Sequence, residues 1–396
     1  MDIAFTAEEE RFRAEVQAFL RERPAETYRT EGMDPGYGSG AYSHEFLEAI
    51  AVRGWMTQCW PKAYGGLERP FGFRLVLLEE LAAAGAPFAA LNVCDQTAEV
   101  IIEYGTDELK AEALPNIAAG RVTFWQGFSE PGAGSDLLAL RTEAHRDGDQ
   151  YVINGHKIWS SNAGLSTYGF VIARTNPEAP RHKGVSAFIV PNSTPGVTPR
   201  PINCLTGDPY HYEVFLDDVR VDKRYLLGEE NDGFSQLLRG LDADRFWARF
   251  YKPPYLRRIL KRLVAFANQT SRDGRRLAED AEIRRKFADF DVEIEVLRTL
   301  FLRTGWLIHR GDPTPYQTAM YKLQVDELGQ RLATFGMALL GAYAISSPGD
   351  ESARLNGDLA HMYQICWGQT IAGGTSEVLR NTVATRGLGL PRTRRA

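Results

Sequence analysis

The chain lacks the features that mark several common classes of protein. Its 46 basic and 51 acidic residues give a formal net charge of −5, which supplies no basic field of the kind that drives nucleic-acid binding. Only four cysteines occur in 396 residues, without a Cys-x-x-Cys pair, and the seven histidines show no metal-ligand spacing. We therefore predict no nucleic-acid partner, no disulfide framework and no metal site.

Long apolar runs and targeting signals are missing as well. No uninterrupted apolar run is long enough to cross a bilayer, so no membrane span is expected. The first residues, MDIAFTAEEERF, are acidic and do not show a basic segment followed by an apolar one. These absences favour a cytoplasmic protein.

Hydrophobic spacing divides the chain into three regions. Residues 1–122 show helical periodicity, beginning at a capping box formed by Thr6 and Glu9. Further helices are expected near 43–53, 71–84, 86–104 and 107–119. Residues 229–396 are again helical, with long helices near 281–310 and 313–343 and a stop at Gly387 and Pro391.

Residues 123–228 alternate instead, as half-buried strands do. Asp147-Gly148-Asp149 is a strong hairpin signal, and the runs YGFVIAR, VSAFIVP and YEVFLDDVRV predict further strands. The chain is therefore expected to be α+β and mainly α. We predict an N-terminal helical domain, a middle antiparallel β-barrel or sandwich, and a C-terminal helical bundle.

Two glycine-containing loops are candidates for holding a ligand. IAGGTSEVLRN places Gly373, Gly374 and Thr375 before a helical run, where unpaired N–H groups can face a phosphate or an oxyanion. SEPGAGSDL carries the hydroxyls of Ser129 and Ser135, which suit a ligand with carbonyls or phosphates. Taken alone, the first loop is better explained as an ordinary turn followed by a Thr375 cap, and the second as a polar surface loop.

Motifs spread over nearly the whole chain resemble those of the acyl-CoA dehydrogenase family, in that family's order and spacing. They are WPKAYGG, SEPGAGSDL, DGDQYVINGHKIWSSNAG, RHKGVSAFIV, LLGEENDGF and GGTSEVLRN. The resemblance implies a C-terminal four-helix bundle, tightly bound FAD and a tetramer arranged as a dimer of dimers. It also implies an oxidoreductase of fatty acid or lipid metabolism.

The same resemblance assigns cofactor-binding residues by position: Gln126, Phe128, Ser129, Trp159, Ser160, Ser161, Gly374, Thr375 and Glu377. Trp159 would lie against the isoalloxazine face and the Ser161 hydroxyl near its polar edge. A flavin needs an apolar face and a few donors, and these residues provide both. Thr375 and Glu377 would lie at the phosphate and adenosine end.

The usual catalytic base is missing from this sequence. Removing the α-proton of an acyl thioester requires a positioned carboxylate and donors to the thioester oxygen. Many relatives carry a glutamate directly before Gly-Thr, whereas this chain has Gly373 there, preceded by Ala372 where an aromatic residue is common. The Gly373 N–H can still donate to the thioester oxygen, as the backbone does in relatives.

A second arrangement in the family places the glutamate on a bundle helix, directly before an arginine that meets CoA. GLDADRF puts Asp244 and Arg245 at those positions. We interpret Asp244 as the base, although aspartate is one methylene shorter and proton abstraction demands near-contact geometry. A salt-bridged bundle residue is the alternative. Asp242 is assigned to CoA contact or to solvent.

Ser135 and Asp95 complete the substrate-binding candidates. Asp95 belongs to a largely apolar helix, ALNVCDQTAEVIIEYG, whose family counterpart lines the acyl pocket. It could serve as a base for a cyclic acyl group, but an exposed or capped aspartate is the stronger expectation. Glu99, one turn on, would raise the pKa of Asp95 if both were buried.

Two segments depart from the family. Pro253 and Pro254 should kink or end a helix that borders the acyl pocket, which predicts an altered pocket. The Arg-x-x-Phe-Gly motif that contributes to FAD binding across subunits is replaced by SRDGRRLAED, where Arg272, Arg275 or Arg276 could substitute.

Three functions follow from these observations. The leading one is an FAD-dependent dehydrogenase acting on an acyl-CoA or acyl-carrier-protein thioester, with an electron-transfer flavoprotein as acceptor. The second is a non-catalytic partner in a heteromeric tetramer, as in bacterial relatives that degrade steroid side chains. The third is a flavin oxidase or monooxygenase on the same scaffold.

Overall fold

The computed structural model describes residues 4–30, 41–207, 209–238, 250–310, 312, 314, 316–346, 350–351 and 353–391. Its first region contains α1 (Ala7–Glu22), α2 (His44–Ala51), α3 (Phe71–Ala84), α4 (Ala89–Tyr104) and α5 (Asp107–Ala118). The capping box at Thr6 and Glu9 is confirmed, with both reciprocal hydrogen bonds present. The predicted helices match these elements to within about three residues at their ends.

The middle region is one sheet built from β1 (Phe124–Gly127), β2 (Glu143–Asp147), β3 (Gln150–Ser161), β4 (Tyr168–Arg174), β5 (Val185–Pro191), β6 (Val197–Ile202), β7 (His211–Asp222) and β8 (Leu226–Leu227). The strand order is β6-β7-β3-β2-β4-β5-β8, and β1 pairs with β4. The predicted hairpin is confirmed, since Asp147 pairs with Gln150 and Gly148 adopts a φ of 63°.

The pairing is not antiparallel throughout. β1 and β2 each pair with β4 in parallel. The chain reverses direction twice between β2 and β4, so β4 runs in the same direction as β2. β1 is held closely against β4 by the buried Trp125, whose indole N–H donates to Asn192 Oδ1 at 2.7 Å. Gly169 on β4 is required there, because a Cβ would lie 2.4 Å from that indole.

The last region contains α6 (Lys252–Gln269), α7 (Ala281–His309), α8 (Gln317–Leu340), α9 (Asp358–Gln369) and α10 (Ser376–Thr382), with a short hairpin of β9 (Ser271–Arg272) and β10 (Arg275–Arg276). α6 packs on α7 and α8, and α8 packs on α7 and α9, which forms the predicted bundle. After α10 a further helical turn, Val383–Gly387, ends at the predicted glycine.

The two prolines lie at a helix start. α6 begins at Lys252, with Pro253 and Pro254 in its first turn, where their missing N–H groups cost no helical hydrogen bond. A helix boundary therefore falls where the prolines predict one. The altered acyl pocket stays a prediction.

The three regions share one packed core. α3 contacts both α1 and α6, while α4 contacts β1 and β8. Arg298 of α7 reaches Glu79 of α3 at 2.6 Å, and Phe88 packs edge-to-face on Tyr251. Among the described helices, none combines the length and apolar character needed to cross a membrane.

Candidate active site

A bulge on β3 turns the Trp159 indole outward. The pairing of β3 with β7 shifts register between Lys157 and Ser160, and Trp159 has a φ of 62°. Positive φ is uncommon for a residue other than glycine, and bulges re-aim side chains at functional sites. The indole is 57% exposed, with the His211 ring edge-to-face at 5.8 Å. A large apolar face is thus presented on a rigid strand.

The predicted flavin-binding residues at 126–129 and 159–161 lie side by side. The buried Ser160 hydroxyl donates to the Gln126 carbonyl at 3.2 Å, and the Ile158 N–H donates to the Ser129 carbonyl at 3.0 Å. These bonds join the end of β3 to β1 and to the loop after it. Gln126 reaches the N-terminal region as well, because its Nε2 donates to Gln96 Oε1 at 3.1 Å.

The remaining predicted residues of this surface differ in access. Phe128 is buried and packs edge-to-face on Phe170 of β4, so it anchors the loop to the sheet. Ser129 and Ser161 are half-buried, and the Ser161 hydroxyl lies 3.4 Å from His211 Nδ1. Ser135 is exposed on the glycine loop. Open space surrounds Gly132 and Gly134, which leaves room for a ligand to approach the backbone.

A buried ion pair that sequence reasoning did not predict holds this loop. Lys157 is fully buried, and its Nζ lies 2.8 Å from Glu130 Oε1 and 3.4 Å from the Phe128 carbonyl. Glu130 also accepts from the N–H groups of Arg141 and Thr142. Burial lowers the pKa of Lys157 to about 8, and Glu130 opposes that shift. The pair fixes the chain on both sides of Ser129.

His211 makes the site sensitive to acid. Burial lowers the pKa of His211 to about 4, so protonation of this ring opposes folding. The stability it contributes is complete above the unfolded pKa of about 6.5 and is lost as the pH falls toward 4. Between those pH values the free energy of unfolding should fall by about 2–3 kcal/mol more in the wild type than in His211→Gln, as measured by denaturant unfolding.

The exposed His145 on β2 provides the control. His145→Gln should reproduce the wild-type slope. Equal slopes for wild type and His211→Gln would contradict the assignment of acid sensitivity to His211.

The second candidate surface is the loop between α9 and α10. Gly373 and Gly374 have φ values of 68° and 105°, conformations that other residues rarely adopt. Thr375 caps α10 by accepting from the Val378 N–H at 3.2 Å. Glu377 is exposed in the first turn, and its pKa is lowered by hydrogen bonds from its own N–H and from Thr375. Thr375 is thus an ordinary N-cap as well as a cofactor candidate.

Asp95 does not behave as expected for an exposed or capped residue. It is buried and lies 2.5 Å from Arg74, which also pairs with Glu99 at 2.9 Å. Burial raises the pKa of Asp95 to about 6, and Glu99 adds to the shift, as predicted for a shared site. The next residue of α4, Gln96, contacts Gln126 of the predicted flavin-binding surface. The Asp95 carboxylate contacts Arg74 on α3.

Some of the remaining arginine and aspartate candidates belong to the part of the chain that the structure describes, and others do not. Three lie outside the described residues: Asp242, Asp244 and Arg245. Of the arginines proposed to replace the missing motif, Arg272 donates to the Leu339 carbonyl, Arg276 pairs with Glu279, and Arg275 is exposed.

The sequence matches family models along most of its length. The acyl-CoA dehydrogenase N-terminal domain matches residues 6–121, the middle domain 126–219 and the C-terminal domain 231–388. The chain belongs to the acyl-CoA dehydrogenase family, whose members are flavin oxidoreductases acting on CH–CH groups. FAD is the cofactor of that family, and tetramers are typical of it.

Individual relatives agree with this assignment. Acyl-CoA dehydrogenase FadE26 of Mycobacterium tuberculosis (strain ATCC 25618 / H37Rv) is 33% identical over 408 residues, covering 100% of both chains. The solved structure of the Tcur3481-Tcur3483 steroid ACAD has a TM-score of 0.87 at 31% identity, covering 99% of this chain and 100% of that chain. The ChsE4-ChsE5 complex from Mycobacterium tuberculosis has a TM-score of 0.83 at 31% identity, with the same coverage.

Proposed function

We propose that this chain is an FAD-dependent dehydrogenase that desaturates the Cα–Cβ bond of an acyl-CoA. The observation that carries this proposal is the outward Trp159 on its bulge. Its neighbours Ser160 and Ile158 donate hydrogen bonds to the carbonyls of Gln126 on β1 and Ser129 in the loop after it. An exposed indole beside half-buried hydroxyls is suited to a planar ligand with one polar edge. The domain matches supply the family context.

The described residues fit FAD. The Trp159 face would cover the isoalloxazine ring, while Ser129 and Ser161 would meet its polar edge. The segment from Gly374 to Glu377 would face the phosphate and adenosine end. When bound, FAD supplies the acceptor for the hydride that leaves Cβ.

The chain itself must remove the α-proton and stabilise the charge that develops on the thioester oxygen. We assign proton removal to Asp244, because it occupies the position of the bundle-helix glutamate in some relatives. We assign the oxyanion contact to the Gly373 N–H, since a backbone donor survives where the usual glutamate is replaced. Arg245 and Asp242 are assigned to CoA, and Ser135 to the substrate.

The substrate and partners follow from chemistry and from relatives. A steroid ACAD stands among the similar structures, which supports a bulky, ring-containing acyl group. Two of these structures hold two kinds of chain, which supports a heteromeric tetramer and keeps a partner-subunit role as the second candidate function. We propose CoA as the thioester carrier and an electron-transfer flavoprotein as acceptor. Asp95, turned toward Arg74, is a weaker substrate candidate than the sequence suggested.

The proposed cofactor site predicts a specific loss of flavin. Trp159→Ala removes an indole that would bury about 100 Å² against the flavin, worth about 2.5 kcal/mol at 25 cal/mol per Å². We expect the Kd for FAD to rise by about 70-fold, measured by titrating the flavin-free protein.

Trp367→Ala is the matched control, since that indole is 47% exposed and belongs to α9 of the helical bundle, whereas Trp159 belongs to the sheet. It should leave FAD affinity within about twofold of wild type. Equal FAD affinity in the two variants would remove Trp159 from the cofactor site.

The function is tested by mixing the purified flavoprotein, without oxygen, with straight-chain, branched, cyclic and steroid-derived acyl-CoAs. Bleaching of the visible flavin spectrum by one class supports the dehydrogenase and identifies its pocket. A bound flavin that no thioester bleaches, but that releases peroxide in air, would favour an oxidase. Bleaching only after a second chain is added would favour the partner-subunit function.

A further inference from the structure

A buried lysine holds the loop between α9 and α10 from beneath. Lys322, on α8, is 1% exposed, and its Nζ donates to the carbonyl oxygens of Gln369 at 3.2 Å and Gly374 at 3.1 Å. Gln369 ends α9, and Gly374 directly precedes the Thr375 cap of α10. One ammonium group therefore fixes both ends of the loop.

That ammonium is itself held by a buried carboxylate. Asp326, one turn further along α8, pairs with Lys322 through Oδ2 at 2.9 Å. Its other oxygen pairs with Lys252 in the first turn of α6, and Lys252 also donates to Gln369 Oε1 at 2.6 Å. Buried charges persist only in well-defined geometry, because misalignment leaves their desolvation uncompensated. The cluster of Lys252, Asp326 and Lys322 is therefore a rigid support.

The contact with Gly374 sets the direction of the neighbouring backbone. In a trans peptide the C=O and N–H point in opposite directions, so the inward Gly374 carbonyl directs the Thr375 N–H away from Lys322. The glycines bring no side chains to hold the loop. Its own backbone bonds run from the Ile371 and Ala372 N–H groups to the Gly368 carbonyl, at 3.1 and 2.9 Å, and from the Ser376 N–H to the Thr370 carbonyl at 3.0 Å.

The geometry points to Lys322 as a positioning residue that holds in place the loop whose Gly373 N–H is proposed to meet the thioester oxygen. This inference rests on the proposed function. An oxyanion donor acts only within a narrow range of distances from the developing charge, so a loop that drifts loses stabilisation. Through Asp326 and Lys252 the same support reaches the start of α6.

Lys322→Met keeps the apolar stem and removes the ammonium. We expect flavin reduction at saturating acyl-CoA to slow by about 10- to 100-fold, with the half-saturating concentration changed by less than about threefold. Hydrogen exchange of the Ala372 and Ser376 amides should become at least about tenfold faster. Lys322→Arg, which keeps the charge but replaces a compact ammonium by a planar fork, should show both effects more weakly.

Arg331→Met is the control on the same helix. Arg331 pairs with Glu293 at 2.5 Å on the exposed side of α8, and its loss should leave both the reduction rate and the loop exchange unchanged. If the Lys322 variants lower only the melting temperature, with reduction and loop exchange as in wild type, the lysine is structural and the inference is overturned.

The exchange measurement separates this inference from the proposed function, because it needs no turnover. If no thioester reduces the wild-type flavin, the dehydrogenase proposal fails, and exchange alone decides whether Lys322 holds the loop. Faster exchange at Ala372 and Ser376 in the variants would support that hold. Unchanged exchange would overturn it.

Discussion

Asp244→Asn is expected to slow reduction of the bound flavin by the cognate acyl-CoA by about 10³-fold. A positioned general base contributes about 10² to 10⁴ in rate, and the α-proton of a thioester is too weakly acidic to leave without one. Asparagine keeps the shape of the side chain but cannot accept the proton. The rate is measured by anaerobic stopped-flow absorbance with saturating substrate, after flavin content has been matched to wild type.

Asp242→Asn is the matched control, because it removes the same charge two residues earlier. As a proposed CoA contact, Asp242 should affect the substrate concentration needed for half-saturation and leave the limiting rate within about threefold. A wild-type limiting rate in Asp244→Asn would exclude this aspartate as the base. The missing glutamate before Gly374 would then have no replacement on the bundle.

Lys157→Met is expected to destabilise the protein by about 3 kcal/mol. Removing one partner of a buried ion pair leaves an uncompensated charge, at a typical cost of about 3–5 kcal/mol. The lower end applies here, because Glu130 keeps its hydrogen bonds from the Arg141 and Thr142 N–H groups. Denaturant unfolding measures the change, and FAD affinity should weaken with it because the loop around Ser129 loses its support.

Two further variants separate the buried charge from general damage. Lys157→Met combined with Glu130→Gln removes both charges, so it should be more stable than the single variant. Lys223→Met breaks an exposed pair with Asp149 at 2.7 Å and should cost much less than Lys157→Met, because water screens the exposed charges. If Lys157→Met costs no more than Lys223→Met, the buried pair does not hold the loop.

Local sequence signals predicted most of the fold, because caps, turns and alternation act over a few residues. Such signals predicted the capping box at Thr6, the hairpin at Gly148 and the strands Tyr168–Arg174 and Val185–Pro191. The parallel pairing of β1 and β2 with β4 was not, since it depends on where β4 returns to the sheet. The boundaries at 122 and 228 stay predictions.

The site was less predictable because its decisive features are non-local. Motif resemblance selected Trp159 and Ser160, but the positive φ and the bulge that expose the indole depend on pairing with β7. Asp95 was misjudged as exposed because its partner Arg74 lies on another helix. Lys157 and Lys322 look like surface residues in the sequence, and only the fold shows that they are buried beside Glu130 and Asp326.

The most direct measurement is the mass of the acyl-CoA recovered after one anaerobic turnover with the purified flavoprotein and the thioester that bleaches it. Desaturation transfers a proton to the protein and a hydride to the flavin, so the recovered acyl-CoA should be lighter by two hydrogens, in an amount equal to the flavin reduced. Recovery of the unchanged acyl-CoA beside a reduced flavin, or no reduction with any thioester, would contradict the assignment of α,β-desaturation to this chain.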